Sequence, residues 1–154
     1  MALTSVASFD VVNQTQTITF FESSTQVDEI TYSAGSITFA NISGFNLSKS
    51  DCLLYFQYLN AYFNSLLINF PSISLSQNGK WPLSQFDITQ SSQGVTHIIY
   101  TQTSQGNVVY TTNYVPVALS ASYIARSNPV TITLQEFYMT INVMTAFTNQ
   151  ISLN

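Results

Sequence analysis

The chain has 154 residues, about one domain, and only three Lys or Arg with seven Asp or Glu, 6% charged against the roughly 25% of an ordinary soluble domain. The net charge of -4 sets seven acids against Lys49, Lys80 and Arg126, and three scattered cations cannot build the basic groove that direct nucleic-acid binding requires. Cys52 is the single cysteine, which excludes an intramolecular disulfide and a cysteine-based metal site and suits a buried packing thiol.

Residues Met1 to Ser8 hold neither the basic segment nor the apolar stretch of a secretory leader, so the chain is expected to begin inside a cell. The first predicted strand is Thr15 to Glu22, where Ile18 and Phe20 share one face while Thr17 and Thr19 share the other. Val27 to Tyr32 and Ser36 to Ala40 follow as two strands joined by a short turn at Ala34-Gly35.

Ser48-Lys49-Ser50-Asp51 has the Ser-x-x-acid spacing that caps a helix, because a side-chain oxygen and an acid satisfy the free N–H groups of the first turn. Apolar side chains then recur at helical spacing through Cys52, Tyr55, Phe56, Leu59, Tyr62, Phe63, Leu66 and Leu67, opposite a stripe of Gln57, Asn60 and Asn64. Pro71 ends the helix near Ile68. The uncharged run from Cys52 to Phe70 approaches membrane-spanning length, but Gln57, Asn60, Asn64, Ser65 and Asn69 interrupt it, so it reads as an amphipathic helix rather than a transmembrane segment.

From Pro71 to Gln93 the composition and Asn78-Gly79 predict the longest loop, with room for a short strand. Val95 to Thr103 and Val108 to Leu119 flank Gln105-Gly106-Asn107, a hairpin signal whose Gly-Asn pair suits a two-residue turn, and Pro116 belongs at an edge or strand end. In the last run, Val130, Ile132 and Leu134 set one alternation phase and Phe137, Met139, Ile141 and Val143 the other. The slip at Gln135-Glu136 reads as a β-bulge in one long strand or a tight bend between two. These elements predict a single all-β domain over 1–154, an antiparallel, jelly-roll-like β-sandwich with one inserted amphipathic helix around 48–68.

Catalytic chemistry has little to work with. His97, in the strand Val95-Thr96-His97-Ile98-Ile99, could pair with a hydroxyl and Asp87, yet no nucleophile elbow is present and a strand histidine meets a hydroxyl by chance in so Ser/Thr-rich a chain. No enzyme, cofactor or metal site is expected. Asp28, Glu29, Asp51 and Asp87 lack the loop spacing of a calcium site; Asp28 and Glu29 fall on opposite faces of a strand and read as solvated edge charges that discourage aggregation. Trp81, between Lys80 and Pro82, is the aromatic best placed for a partner or ligand contact. Three glycosylation-type triplets begin at Asn13, Asn41 and Asn46, about the number that composition alone produces.

Ser, Thr, Asn and Gln number 64, so the polar surface is built of hydroxyls and amides that hydrogen-bond to water without repelling a neighbour. Such a surface eases association with identical copies. A short chain poor in charge, rich in Thr, Ser, Asn and Gln and strand-heavy resembles the single jelly-roll coat proteins of archaeal viruses. The resemblance is of overall character and involves no motif. It implies a self-assembling capsid protein in a virion, with copies of itself and other structural proteins of the particle as partners. Two alternatives stand beside it: an extracellular filament or fibre subunit joined by strand complementation, and a carbohydrate-binding β-sandwich using Trp81 and tyrosines.

Overall fold

A computed structural model describes residues 3–40, 45–73, 83–90, 96–104, 107–115, 120–123 and 130–152. The described chain is mostly β, with two helices rather than one. The first four strands, β1 (Leu3–Asp10), β2 (Thr15–Glu22), β3 (Thr25–Ser33) and β4 (Ser36–Phe39), form a consecutive antiparallel meander. β5 (Phe45–Ser48) leads into α1 (Lys49–Asn69), and β6 (Leu83–Gln90), β7 (Thr96–Ser104), β8 (Asn107–Val115) and β9 (Ser120–Tyr123) follow. β10 (Val130–Thr133) returns beside β4 and runs directly into α2 (Leu134–Ser152). The five-stranded antiparallel sheet has the order β1-β2-β3-β4-β10; the backbones of the remaining strands pair in the order β5-β9-β8-β7-β6.

Local chemistry explains the meander. Ser33 pairs with Ser36, and both residues between them have positive φ, Ala34 at 51° and Gly35 at 84°, as a turn matching the twist of its strands requires. Between Phe20 and Phe21 the pairing slips, so that Phe20 faces Asp28 and Phe21 faces Gln26. This bulge turns both Val27 and Asp28 inward, although they are neighbours in sequence. The expectation of solvated edge charges is therefore corrected: β3 is an interior strand, Asp28 is 0% exposed, and only Glu29 looks outward, accepting from Gln26 Nε2 at 3.1 Å.

α1 starts where the cap was expected. Ser48 is the N-cap, its hydroxyl accepting from the Asp51 N–H at 3.1 Å, and Pro71 follows the C-cap Phe70. Tyr55, Phe56, Leu59, Phe63 and Leu66, the expected inward side, are all buried and cover the inner face of the meander. The Tyr55 ring meets Phe20 at 4.8 Å and the Phe70 ring meets Tyr32 at 4.6 Å between centroids, both pairs tilted.

The greatest departure from expectation is α2, which follows the strand β10 where the last run was expected to continue as a bulged strand or as a second strand after a bend. Thr133 and Glu136 form a reciprocal capping box: the Glu136 N–H donates to Thr133 Oγ1 at 3.1 Å and the Thr133 N–H to Glu136 Oε1 at 3.2 Å. The phase slip at Gln135-Glu136 is thus the end of period two and the start of period 3.6. Leu134, Phe137, Ile141, Met144 and Phe147 face the core, where Phe137 meets Phe39, Tyr62 and Phe63 and Phe147 meets Phe56. The buried Thr140 hydroxyl donates to the Glu136 carbonyl at 2.9 Å, so it costs the apolar face little. In the described core the layer against the sheet is helical.

Candidate functional site

The strongest candidate is an open strand edge and the surface beside it. β1 is the outer strand of its sheet, and beyond Leu3 it is exposed on nearly every residue. Its first residue is held by α1: the Leu3 N–H donates to Asp51 Oδ1 at 2.9 Å, and the Tyr58 hydroxyl donates to the Leu3 carbonyl at 3.2 Å. Its other end is held through Phe9, whose ring meets Phe70 edge-on at 5.3 Å. β1 thus runs in the same sense as α1, pinned at both ends and bare between.

Because both main-chain groups of Leu3 point away from its register partner Glu22, the alternation of an antiparallel ladder turns those of Ser5, Ala7 and Phe9 the same way, outward from the sheet. Thr4, Val6, Ser8 and Asp10 bond inward to β2. Large apolar side chains also gather here. Of the exposed ones among the described residues, Val6, Phe9, Val11 and Val12 lie on β1 and its turn, with Val12 90% exposed, and Leu67 and Ile68 lie on the last turn of α1. Asp10, the only charge from Leu3 to Gln14, is turned back on its own loop: its carboxylate accepts from the N–H groups of Asn13 and Val12 and from Asn13 Nδ2. Those bonds, led by the Asn13 backbone, hold its pKa below the ordinary aspartate value. Asn13, one of the triplet asparagines, is thereby engaged in the turn.

The outer face of the sheet is a hydroxyl surface. Ser8, Thr17, Thr31, Thr38 and Thr131 stand abreast across all five strands, with Thr17 bonded to Thr31 at 3.1 Å and Thr38 to Thr131 at 3.0 Å. Asp10, Thr15, Ser33, Ser36 and Thr133 form the next row. The inner polar groups serve packing. Gln16 is buried in β2, donates to Ser65 Oγ at 3.0 Å and accepts from Asn69 Nδ2 at 2.8 Å, while its carbonyl accepts from the Tyr62 hydroxyl at 2.5 Å. Burial raises the pKa of Tyr62 well above the ordinary tyrosine value.

Between the helices lies a cleft of about 170 Å³, with Phe56, Ile141 and Met144 as its floor and Gln57, Asn60 and Thr145 at its rim. It is smaller than the roughly 300 Å³ at which ordinary small-molecule pockets begin. Among the described residues no group of three His, Cys, Asp or Glu lies together, and no helix is long and apolar enough to cross a membrane.

Several residues singled out from sequence are not brought to this surface. Trp81 and Asn41 lie outside the described residues. The backbone register sets His97 of β7 opposite Thr89 and Asp87 of β6 opposite Ile99; Cys52 is in α1 and Asn46 in β5. The β7–β8 pairing joins Ser104 to Asn107, so Asn107 belongs to the strand rather than to the turn. Sequence reasoning missed β1 altogether, because Ser5, Ala7 and Phe9 on one face and Val6, Ser8 and Asp10 on the other each mix polar and apolar residues and leave no clean period-two signal. No protein-family model, curated protein or solved structure matches the chain.

Proposed function

We propose that this chain is a self-assembling, non-enzymatic structural protein, the coat subunit of a virion whose shell is held by polar, aromatic and main-chain contacts between subunits. The observation that carries the reading is the β1 edge: a long, straight strand without lysine, proline or bulge, flanked by a hydroxyl face and exposed valines. Proteins that work as monomers blunt such edges, because each is a template for another chain. Its partners are copies of itself and other structural proteins of the particle, with no direct contact to nucleic acid. A sandwich-like arrangement is part of the same proposal, with α1 and α2, which touch strands of both sets, packed between the five-stranded sheet and β5 to β9; the consecutive order of β1 to β4 departs from the jelly-roll form of it.

The same edge also favours a second reading, an extracellular filament subunit in which a neighbour's strand completes the sheet. Electron microscopy and sedimentation of the purified chain over a concentration series separate the two. Closed particles or defined oligomers are expected for the coat reading, open fibres for the filament, and a dispersed monomer at every concentration overturns both.

A further inference from the structure

We propose that β1 is the contact by which two copies of this chain join, pairing antiparallel with β1 of the second copy about a two-fold axis at Ala7, so that the five strands of each sheet become one continuous sheet. The inference rests on the assembly reading above and names its interface.

The register follows from which main-chain groups are free. Leu3 has spent its N–H on Asp51 and its carbonyl on Tyr58. Beyond it, Ser5, Ala7 and Phe9 turn donors and acceptors outward, and no partner for them is found among the described residues. Three outward residues centred on Ala7 are self-complementary under one two-fold arrangement, in which Ser5 exchanges both bonds with Phe9 of the copy and Ala7 with Ala7. A shift toward Leu3 would bring in groups already used by α1, and a shift toward the turn would leave Ser5 unpaired.

Charge argues for a second copy as the occupant. No side chain from Leu3 to Phe9 is charged, so the strand meets its own image without like-charge repulsion. Asp10 falls opposite Thr4 of the copy, and its carboxylate is occupied by Val12 and Asn13. On the outer face Val6, 61% exposed, falls opposite Ser8 of the copy, adding apolar cover beside the hydroxyl rows. The opposite edge offers no equivalent, because β10 has four residues and passes directly into α2. A two-fold contact of this kind closes on itself, so it makes pairs, and further growth of a particle uses other surfaces.

The register makes the test specific. In V6K/S8K both Val6–Ser8 pairs across the axis become Lys against Lys, whereas V6K/S8E sets opposite charges there; both positions are exposed and point away from the core. Ala7→Pro removes an outward N–H and leaves the inward ladder whole. Sedimentation should show that V6K/S8K and Ala7→Pro weaken self-association at least tenfold and that V6K/S8E restores it, with thermal melts checking that each variant folds. Amide hydrogen exchange on the unaltered chain gives a second reading, with Ser5, Ala7 and Phe9 protected at high concentration and exposed on dilution. Assembly unaffected by all three variants, or free exchange at those amides in the assembled state, overturns the β1 contact and leaves the assembly reading standing. A chain that stays monomeric throughout overturns both.

Discussion

The Tyr55 hydroxyl donates a 2.6 Å hydrogen bond to Oδ2 of Asp28, tying α1 to an interior strand of the sheet by a polar contact inside an aromatic core. The other carboxylate oxygen accepts the Glu29 N–H at 2.9 Å. Tyr55→Phe deprives a fully buried carboxylate of a donor and is expected to cost about 1–3 kcal/mol, because the lost hydrogen bond is not replaced by water at a buried acceptor. Tyr58→Phe, whose hydroxyl bonds the Leu3 carbonyl from a half-buried position, is the comparison and should cost less. Urea denaturation of the two variants measures the difference.

The aromatic seam between the helices rests on Phe63, which meets Phe137 at 6.0 Å and Tyr138 at 5.4 Å. Phe63→Ala should destabilise the chain by about 3–5 kcal/mol. A denaturation midpoint equal to that of the unaltered chain would show that α1 does not bury this side chain.

Thr133 stops a strand and starts a helix in one residue. Thr133→Ala removes the hydroxyl that accepts the Glu136 N–H and should cost about 0.5–2 kcal/mol, with circular dichroism showing the loss in helical signal. Thr133→Ser keeps the acceptor and is expected to retain most of the stability.

Ala34 holds φ at 51°, a conformation that its Cβ disfavours and that asparagine and glycine accept readily. Ala34→Asn should raise stability by about 0.5–1 kcal/mol through relief of the turn, visible as a higher melting temperature. A lower melting temperature would contradict the turn geometry.

Acid should do little to the proposed assembly. Only seven carboxylates are available to protonate, and there is little charge for salt to screen. Asp10 contributes in a defined direction: its folded pKa is lowered, so its stabilisation is fully present above the unfolded carboxyl pKa of about 3.9 and is lost as pH falls through the lower folded value. Asp10→Asn should flatten that part of the stability curve. Light scattering should show particles intact from neutral pH to about pH 3 and in molar salt. Sharp dissociation near pH 4 would reveal a carboxylate-controlled interface.

α1 was legible from sequence because its signals are local and agree: Ser48 caps, the apolar stripe keeps helical period, and Pro71 stops it. The β2–β3–β4 meander was legible for the same reason, through alternation around Ala34-Gly35. α2 was misread although its capping box, Thr133-Leu134-Gln135-Glu136, is plain in the chain. β-branched residues precede it, and Phe137, Met139, Ile141 and Val143 fit period two as well as part of a helix. Only packing chose between them, by burying Phe137, Ile141 and Met144 together against α1 and leaving Met139 and Val143 partly exposed.

By itself the sequence determined the scarcity of charge, the wealth of hydroxyls and amides, and those elements whose start, period and stop lie within about twenty residues of one another. Tertiary structure alone decided the rest. A strand's place at an edge depends on what pairs with it, so the open side of β1 is invisible in its own residues. Asp28 points inward because a bulge against β2 turns it there, and it is tolerated because Tyr55, 27 positions away, brings it a hydroxyl. Both are properties of contacts between distant segments, which no local pattern encodes.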